Sequence, residues 1–158
     1  MEGLTIDDLF TPTAETYAII AETEKALASL YGSTDKVAAE RWLTELQQQP
    51  QAWKIPRALL LTTKPVEVKF YGAMTLYNKL TKSWSDIPEH LRGNVGMFII
   101  DFIIRNAGGE SLVRTRLCQC LGAYALQTVP NIWANPVTDT IQALVGATSD
   151  EIVFEALL

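Results

Sequence analysis

Histidine is nearly missing from this chain: His90 is the only one among 158 residues, and cysteine occurs twice. That scarcity leaves no set of ligands at the spacings that metal sites use. It also leaves nucleophilic catalysis without a base, because His90 follows Pro88-Glu89 in an expected first helical turn, where an exposed imidazole is ordinary. No catalytic residue, metal or cofactor is therefore expected, and the chain does not read as an enzyme. Positive charge is short too: 13 Lys and Arg stand against 18 Asp and Glu, a net charge of -5. A chain built to grip a phosphate backbone normally carries a basic surface, so direct nucleic-acid binding is not expected, whereas basic protein partners are. No apolar run approaches the roughly 18 residues of a membrane span, and the opening MEGLTIDDLF lacks the charge-then-apolar layout of a signal peptide. The expectation is an intracellular chain with no membrane partner. Gly108-Gly109 has neither the lysine nor the spacing of a phosphate loop and reads as a turn between helices. Strand-like alternation is absent throughout, which sets a parallel sheet aside.

What the chain does have is helical periodicity. Its hydrophobic fraction of 48% supports one good core, and no shift in composition marks a second domain. The stretch Val66 to Trp84 carries the clearest pattern. Val66, Phe70, Ala73, Tyr77, Leu80 and Trp84 recur at alternating spacings of four and three, which lines them up along one side of a helix. Tyr71, Thr75, Asn78, Lys79 and Lys82 fall on the other side, so the helix is expected to pack through one face and to present a polar, cationic one.

Taken in order, residues 1–12 show no period and read as a flexible arm ending at Pro12. Residues 13–158 read as repeats of helix pairs. Ile20, Thr23, Leu27 and Leu30 mark a helix over 13–31, closed by Gly32 in a left-handed conformation. Ser33-Thr34-Asp35 offer side-chain caps for a helix carrying Ala39, Trp42, Leu43 and Leu46 on its packed face. Pro50 suits a first helical turn, with Trp53, Leu60 and Leu61 apolar, while Pro56 predicts a kink or an irregular turn. Pro88 opens a helix with Leu91, Val95, Phe98 and Phe102 buried, running up to Gly108-Gly109. The run 112–128 is apolar nearly all round and so should lie between neighbours. Within it Cys118 and Cys120 point to different sides of the helix and read as buried, reduced thiols. Asn135-Pro136 caps a short helix ended by Gly146, and Thr148 to Glu151 has the spacing of a capping box. The last helix leaves Val153, Phe154, Leu157 and Leu158 in need of cover, as in a piece of a longer protein. Helix pairs starting near residues 13, 50, 88 and 135 recur at about the 40-residue period of HEAT-type repeats. The expected fold is all-α, an α-solenoid.

Particular residues also carry a likeness. Lys25-Ala26-Leu27 with Leu30-Tyr31, Arg41-Trp42-Leu43 with Pro50-Gln51-Ala52-Trp53, Phe70-Tyr71-Gly72-Ala73 with Lys79, Trp84-Ser85-Asp86-Ile87-Pro88 and Thr115-Arg116-Leu117-Cys118 together resemble the amino-terminal region of the importin-β superfamily. The likeness runs from about residue 20 to the end, and Pro56 stands apart from it. It implies a nuclear transport receptor of nucleus and cytoplasm, whose first HEAT repeats bind the GTP-loaded small GTPase Ran, with protein cargo and nucleoporins as further partners. It also implies that the second helix of each pair, residues 36–48, 66–84 and 110–128, lines the concave surface. Tyr71, Thr75, Asn78, Lys79, Lys82 and Arg116 are then the expected Ran-facing residues. Glutamate at 79 and 82 is expected to weaken Ran binding at least tenfold while changing stability little. The competing reading is a helical scaffold that holds peptides in its groove and has no nucleotide-sensitive partner.

Overall fold

The computed structural model describes residue 3, residues 5–32 and residues 35–158. The helices in order are α1 (Ile6–Phe10), α2 (Ala14–Tyr31), α3 (Lys36–Gln48), α4 (Ile55–Leu60), α5 (Val66–Lys82), α6 (Glu89–Arg92), α7 (Val95–Arg105), α8 (Ser111–Thr128), α9 (Pro136–Leu144) and α10 (Asp150–Leu157). Short 3-10 turns, Pro50–Lys54 and Trp84–Asp86, precede α4 and follow α5. Among the described residues there is no strand, only an isolated bridge between Val145 and Thr148 across the turn at Gly146. No described helix is long and apolar enough to cross a membrane.

Sequential helices pack as pairs, α2 with α3, α4 with α5, α7 with α8 and α9 with α10. The pairs then stack: α5 lies between α3 and α8, and α10 adds to α8. This is the helix-pair solenoid that the periodicity predicts, each pair burying its faces against the next. One apolar cluster joins α4, α5, α7 and α8 through Leu60, Leu76, Leu80, Ile99, Phe102 and Leu117. A second, built on Ile20, Leu27, Leu43, Leu46, Leu59 and Tyr71, joins the first pair to it. Cys118 and Cys120 are free and buried, as expected, and burial pushes the Cys118 thiol up to about 12.

Pro56 has its predicted effect in a mild form. The 3-10 turn Pro50–Lys54 ends where α4 starts, so Pro56 falls in a first helical turn, where no intrahelical partner for its nitrogen is needed.

Several expectations are corrected. Residues 1–12 are not a free arm throughout: Thr5 and Asp8 form a capping box at α1, and Phe10 is fully buried. The Phe10 ring stacks on Phe98 at 4.7 Å and meets Trp53 and Phe102 edge-on at 6.1 and 6.4 Å. Burial of the Phe10 ring, with Ile6 and Leu9 packed against the same cluster, docks a segment that has no period of its own. Gly32 is not left-handed but extended (φ -88°, ψ -161°). Of the caps proposed for α3, Ser33 and Thr34 lie outside the described residues, and Asp35 makes no side-chain cap bond. Trp42 is exposed rather than packed. The helix after Pro88 is two, because the chain turns at Gly93-Asn94 between α6 and α7, and α7 ends at Arg105. The Thr148 hydroxyl donates back to the Leu144 carbonyl at 3.0 Å, so Ser149 occupies the cap of α10 and no capping box forms.

Candidate functional site

The organising helix α5 is covered on three sides. Towards α4 it presents Gly72, where a β-carbon would come within 3.1 Å of Leu59 Cβ; the glycine is what lets the two helices approach so closely. Leu76 is fully buried. Towards α8 it presents Ala73, whose carbonyl accepts a weak bond from the Cys120 thiol at 3.6 Å, and Leu80, whose carbonyl accepts from the Gln127 amide at 3.4 Å.

The third covered side is the one expected to be free. Tyr71 donates its hydroxyl to the Leu43 carbonyl of α3 at 2.7 Å, and Thr75 accepts from the Gln47 amide at 3.1 Å. Asn78 in turn donates to the Gln47 side-chain oxygen at 2.7 Å. Polar side chains therefore sew α5 to α3 instead of waiting for a partner. Burial pushes the Tyr71 phenol above its ordinary range. Lys79 is likewise enclosed. Its ammonium lies 5.9 Å from the Trp53 ring centre and 3.9 Å from the Asp86 carboxylate, and has no hydrogen-bond partner. Burial pulls its pKa below the usual lysine range, and the Asp86 charge opposes that shift. The placement of Tyr71, Thr75 and Lys79 on a solvent-facing arc is thus wrong. Asn78 is half-buried, and Lys82 alone of these five is exposed.

The arc of α5 that stays open carries Glu67, Phe70, Met74, Tyr77 and Thr81, each exposed or half-buried. Sequence reasoning assigned Phe70 and Tyr77 to the packed stripe and did not single out Met74. Ala73 and Leu80 of that stripe are fully buried and Phe70, Tyr77 and Trp84 pack half-buried against the core, while Val66 is exposed; Gly72 and Leu76, outside the stripe and buried, were the available signal that the packed face extends beyond it. Arg116 reaches this arc from α8. Its guanidinium carbon sits 5.6 Å from the Phe70 ring centre and 5.3 Å from that of Tyr77, so two aromatic faces hold it. Of the six expected site residues, the structure thus brings Arg116 to the open face and leaves Lys82 exposed, while Tyr71 and Thr75 bond α5 to α3 and Lys79 is buried.

Two grooves flank the arc. One of about 180 Å³ runs between α3 and α5 past Glu40, Gln47, Phe70 and Met74. The other, about 950 Å³, runs from Tyr77 and Thr81 across Arg116, Gln119 and Leu126 to Val137 of α9. Such an assembly offers area, aromatic edges and a held cation, the makings of a protein-binding face.

Comparison with known proteins gives a consistent result. The family model for the importin-beta N-terminal domain matches residues 39–105. Importin-13 from Bos taurus and from Homo sapiens are each 35% identical to the chain over 126 residues, covering 78% of it and 13% of the relative. Importin-13 homolog A from Dictyostelium discoideum is 28% identical over 137 residues, covering 81% of the chain and 12% of the relative. The chain spans about an eighth of the length of these relatives.

Proposed function

The chain belongs to the importin-β superfamily, and on that membership we propose that its repeats engage the GTP-loaded small GTPase Ran as part of a nuclear transport receptor moving between nucleus and cytoplasm. Protein cargo and nucleoporins complete the proposed set of partners. The function is binding, and Ran and cargo influence each other through the curvature of the stacked pairs, each ligand favouring the shape it binds better.

One observation carries the proposed site: Arg116 held over Phe70 and Tyr77 in the arc left open by α3 and α8. A guanidinium restrained in this way meets a partner carboxylate with little further loss of side-chain freedom. Lys82 is exposed at the end of α5, and the half-buried Asn78 lies on the α3 side of that helix, bonded to Gln47. Tyr71 and Thr75 contribute by bonding the helix to α3 rather than by contact, and Lys79 is enclosed away from the partner. Capture of the chain on Ran loaded with GTP, compared with Ran loaded with GDP, tests this reading. Equal retention on both would remove it. The apolar stretch of the larger groove, Leu126 with Val137, favours a second reading, a scaffold for peptides with no nucleotide-sensitive partner. Under that reading, glutamate at Arg116 leaves Ran capture unchanged and alters peptide capture only.

A further inference from the structure

The residues joining α1 to α2 hold a chemistry that Ran binding leaves unused. Thr11 is exposed, lies in extended backbone (φ -72°, ψ 120°) and is followed by Pro12. Its hydroxyl oxygen accepts from Arg57 Nη1 at 3.2 Å, and its carbonyl accepts from Lys54 Nζ at 3.3 Å. Lys54 also donates to the Asp8 carbonyl. Two cations beside the second helix pair thus converge on one exposed residue in a stretch that belongs to no helix, Arg57 on its hydroxyl and Lys54 on its carbonyl.

Anions nearby decide whether a phosphate would be held or repelled. Arg57 also contacts Asp7, at 3.5 Å, but that carboxylate is 70% exposed and turns readily to water, whereas Arg57 is 34% exposed. The Asp8 carboxylate is engaged by Thr5, accepting from its amide at 2.7 Å and its hydroxyl at 2.8 Å, and the Lys54 charge also acts on it. A phosphoryl group on Thr11 would bring nearly two negative charges and three acceptor oxygens to donors already in place.

We propose that Thr11 is a phosphorylation site for proline-directed protein kinases, and that Arg57 and Lys54 hold the phosphate and so fasten α1 to the second helix pair. In the transfer, Thr11 Oγ1 attacks the γ-phosphorus of ATP. The new O–P bond forms as the bond to the β,γ-bridging oxygen breaks, ADP leaves, and the hydroxyl proton passes to the kinase's base. The preceding residue, Phe10, is fully buried. A kinase cleft that needs extended chain on both sides of Thr11 therefore reads the population in which α1 is locally released. The phosphate then makes the next release rarer.

The test uses the purified chain, a proline-directed Ser/Thr kinase and Mg-ATP, with mass spectrometry for the site and hydrogen exchange over residues 5–13 for its effect. Phosphate is expected on Thr11 and not in Thr11→Val, and Phe10→Ala should raise the initial rate of transfer. Exchange over residues 5–13 should slow about tenfold on phosphorylation, the low end of what a hydrogen bond to a charged group provides. In Lys54→Gln with Arg57→Gln the phosphate should still be added but the slowing should vanish. Absence of phosphate at Thr11 in the chain overturns the proposal, whether or not a peptide of residues 5–17 is modified. So does phosphorylation that leaves exchange unchanged or speeds it, since repulsion from Asp7 would then outweigh Arg57 and Lys54.

Discussion

Replacing Lys79 by Met should make this protein more stable, although the lysine sits where a cationic contact was expected. The side chain is fully buried, and its ammonium has no hydrogen-bond partner. Taking an ammonium out of water costs several kcal/mol even after relaxation. Against this stands a cation–π contact with the buried Trp53 at 5.9 Å, worth about 1–2 kcal/mol for a desolvated pair near its distance limit. The 3.9 Å pair with a half-exposed Asp86 adds about 0–1 kcal/mol. The cost wins, so Lys79→Met, of similar length and with no charge to desolvate, should gain about 1–3 kcal/mol at neutral pH. Asp86 is not stranded by the change, because it already faces water. Lys79→Glu should instead lose about 3–5 kcal/mol, by burying a carboxylate beside another, which reverses the expectation of little change.

The pH dependence carries the sign of the argument. Burial holds the folded-state pKa of Lys79 below the unfolded value, so between the two the unfolded chain binds more protons and stability rises with pH. The penalty is full below the lowered pKa and is relieved as pH climbs towards about 10.4. The advantage of Lys79→Met should therefore shrink in alkali. Tyr71, Cys118 and Cys120, whose raised pKa values destabilise the fold in alkali, act equally on both proteins and cancel in the difference. Urea denaturation of each protein at neutral pH and near pH 10, followed by helical circular dichroism, measures it. A Lys79→Met protein less stable than the parent at neutral pH, or an advantage that grows with pH, would refute the reasoning.

Three further outcomes follow from the same packing. Tyr71→Phe removes the 2.7 Å bond to the Leu43 carbonyl and should cost about 1 kcal/mol in a urea titration, with the slope unchanged. Trp53→Ala should cost about 3–5 kcal/mol, as large buried aromatics do, whereas Trp42→Ala should stay below about 1 kcal/mol because Trp42 is exposed; thermal melts of the two variants should separate accordingly. Arg116→Glu should weaken capture of GTP-loaded Ran at least about tenfold, or 1.4 kcal/mol, with the larger loss at low salt, and an unchanged affinity in a folded variant would move the site elsewhere.

Most of the fold was legible because each helix of a solenoid announces itself locally. Proline at positions 50, 56 and 136, the turn at Gly108-Gly109 and the spacing of Ile20, Thr23 and Leu27 are short-range signals, and each fell where the pattern put it. What was lost depends on longer range. Phe10 finds Phe98, 88 positions further along the chain, and nothing within residues 1–12 encodes that distance. The break at Gly93-Asn94 was hidden because Leu91 and Val95 keep helical spacing across it, and both are buried on either side of the turn.

The site was harder to read than the fold for a reason special to a helix in the middle of a stack. An amphipathic pattern identifies the open face when a helix has one packed side and one wet side. α5 has three packed sides, towards α3, α4 and α8, so polar and apolar residues no longer sort by solvent. Tyr71, Thr75 and Asn78 are polar because the α3–α5 contact is hydrogen-bonded through Gln47 and the Leu43 carbonyl. Phe70 and Tyr77 are aromatic on the open side because they hold Arg116. Polarity therefore marked the joint between helices, and the two half-buried aromatic residues, packed against the core, border the open face. The discriminating residues were the small and unremarked ones: Gly72, which only close approach to α4 explains, fixes the side opposite the opening and so locates the arc where a partner can reach.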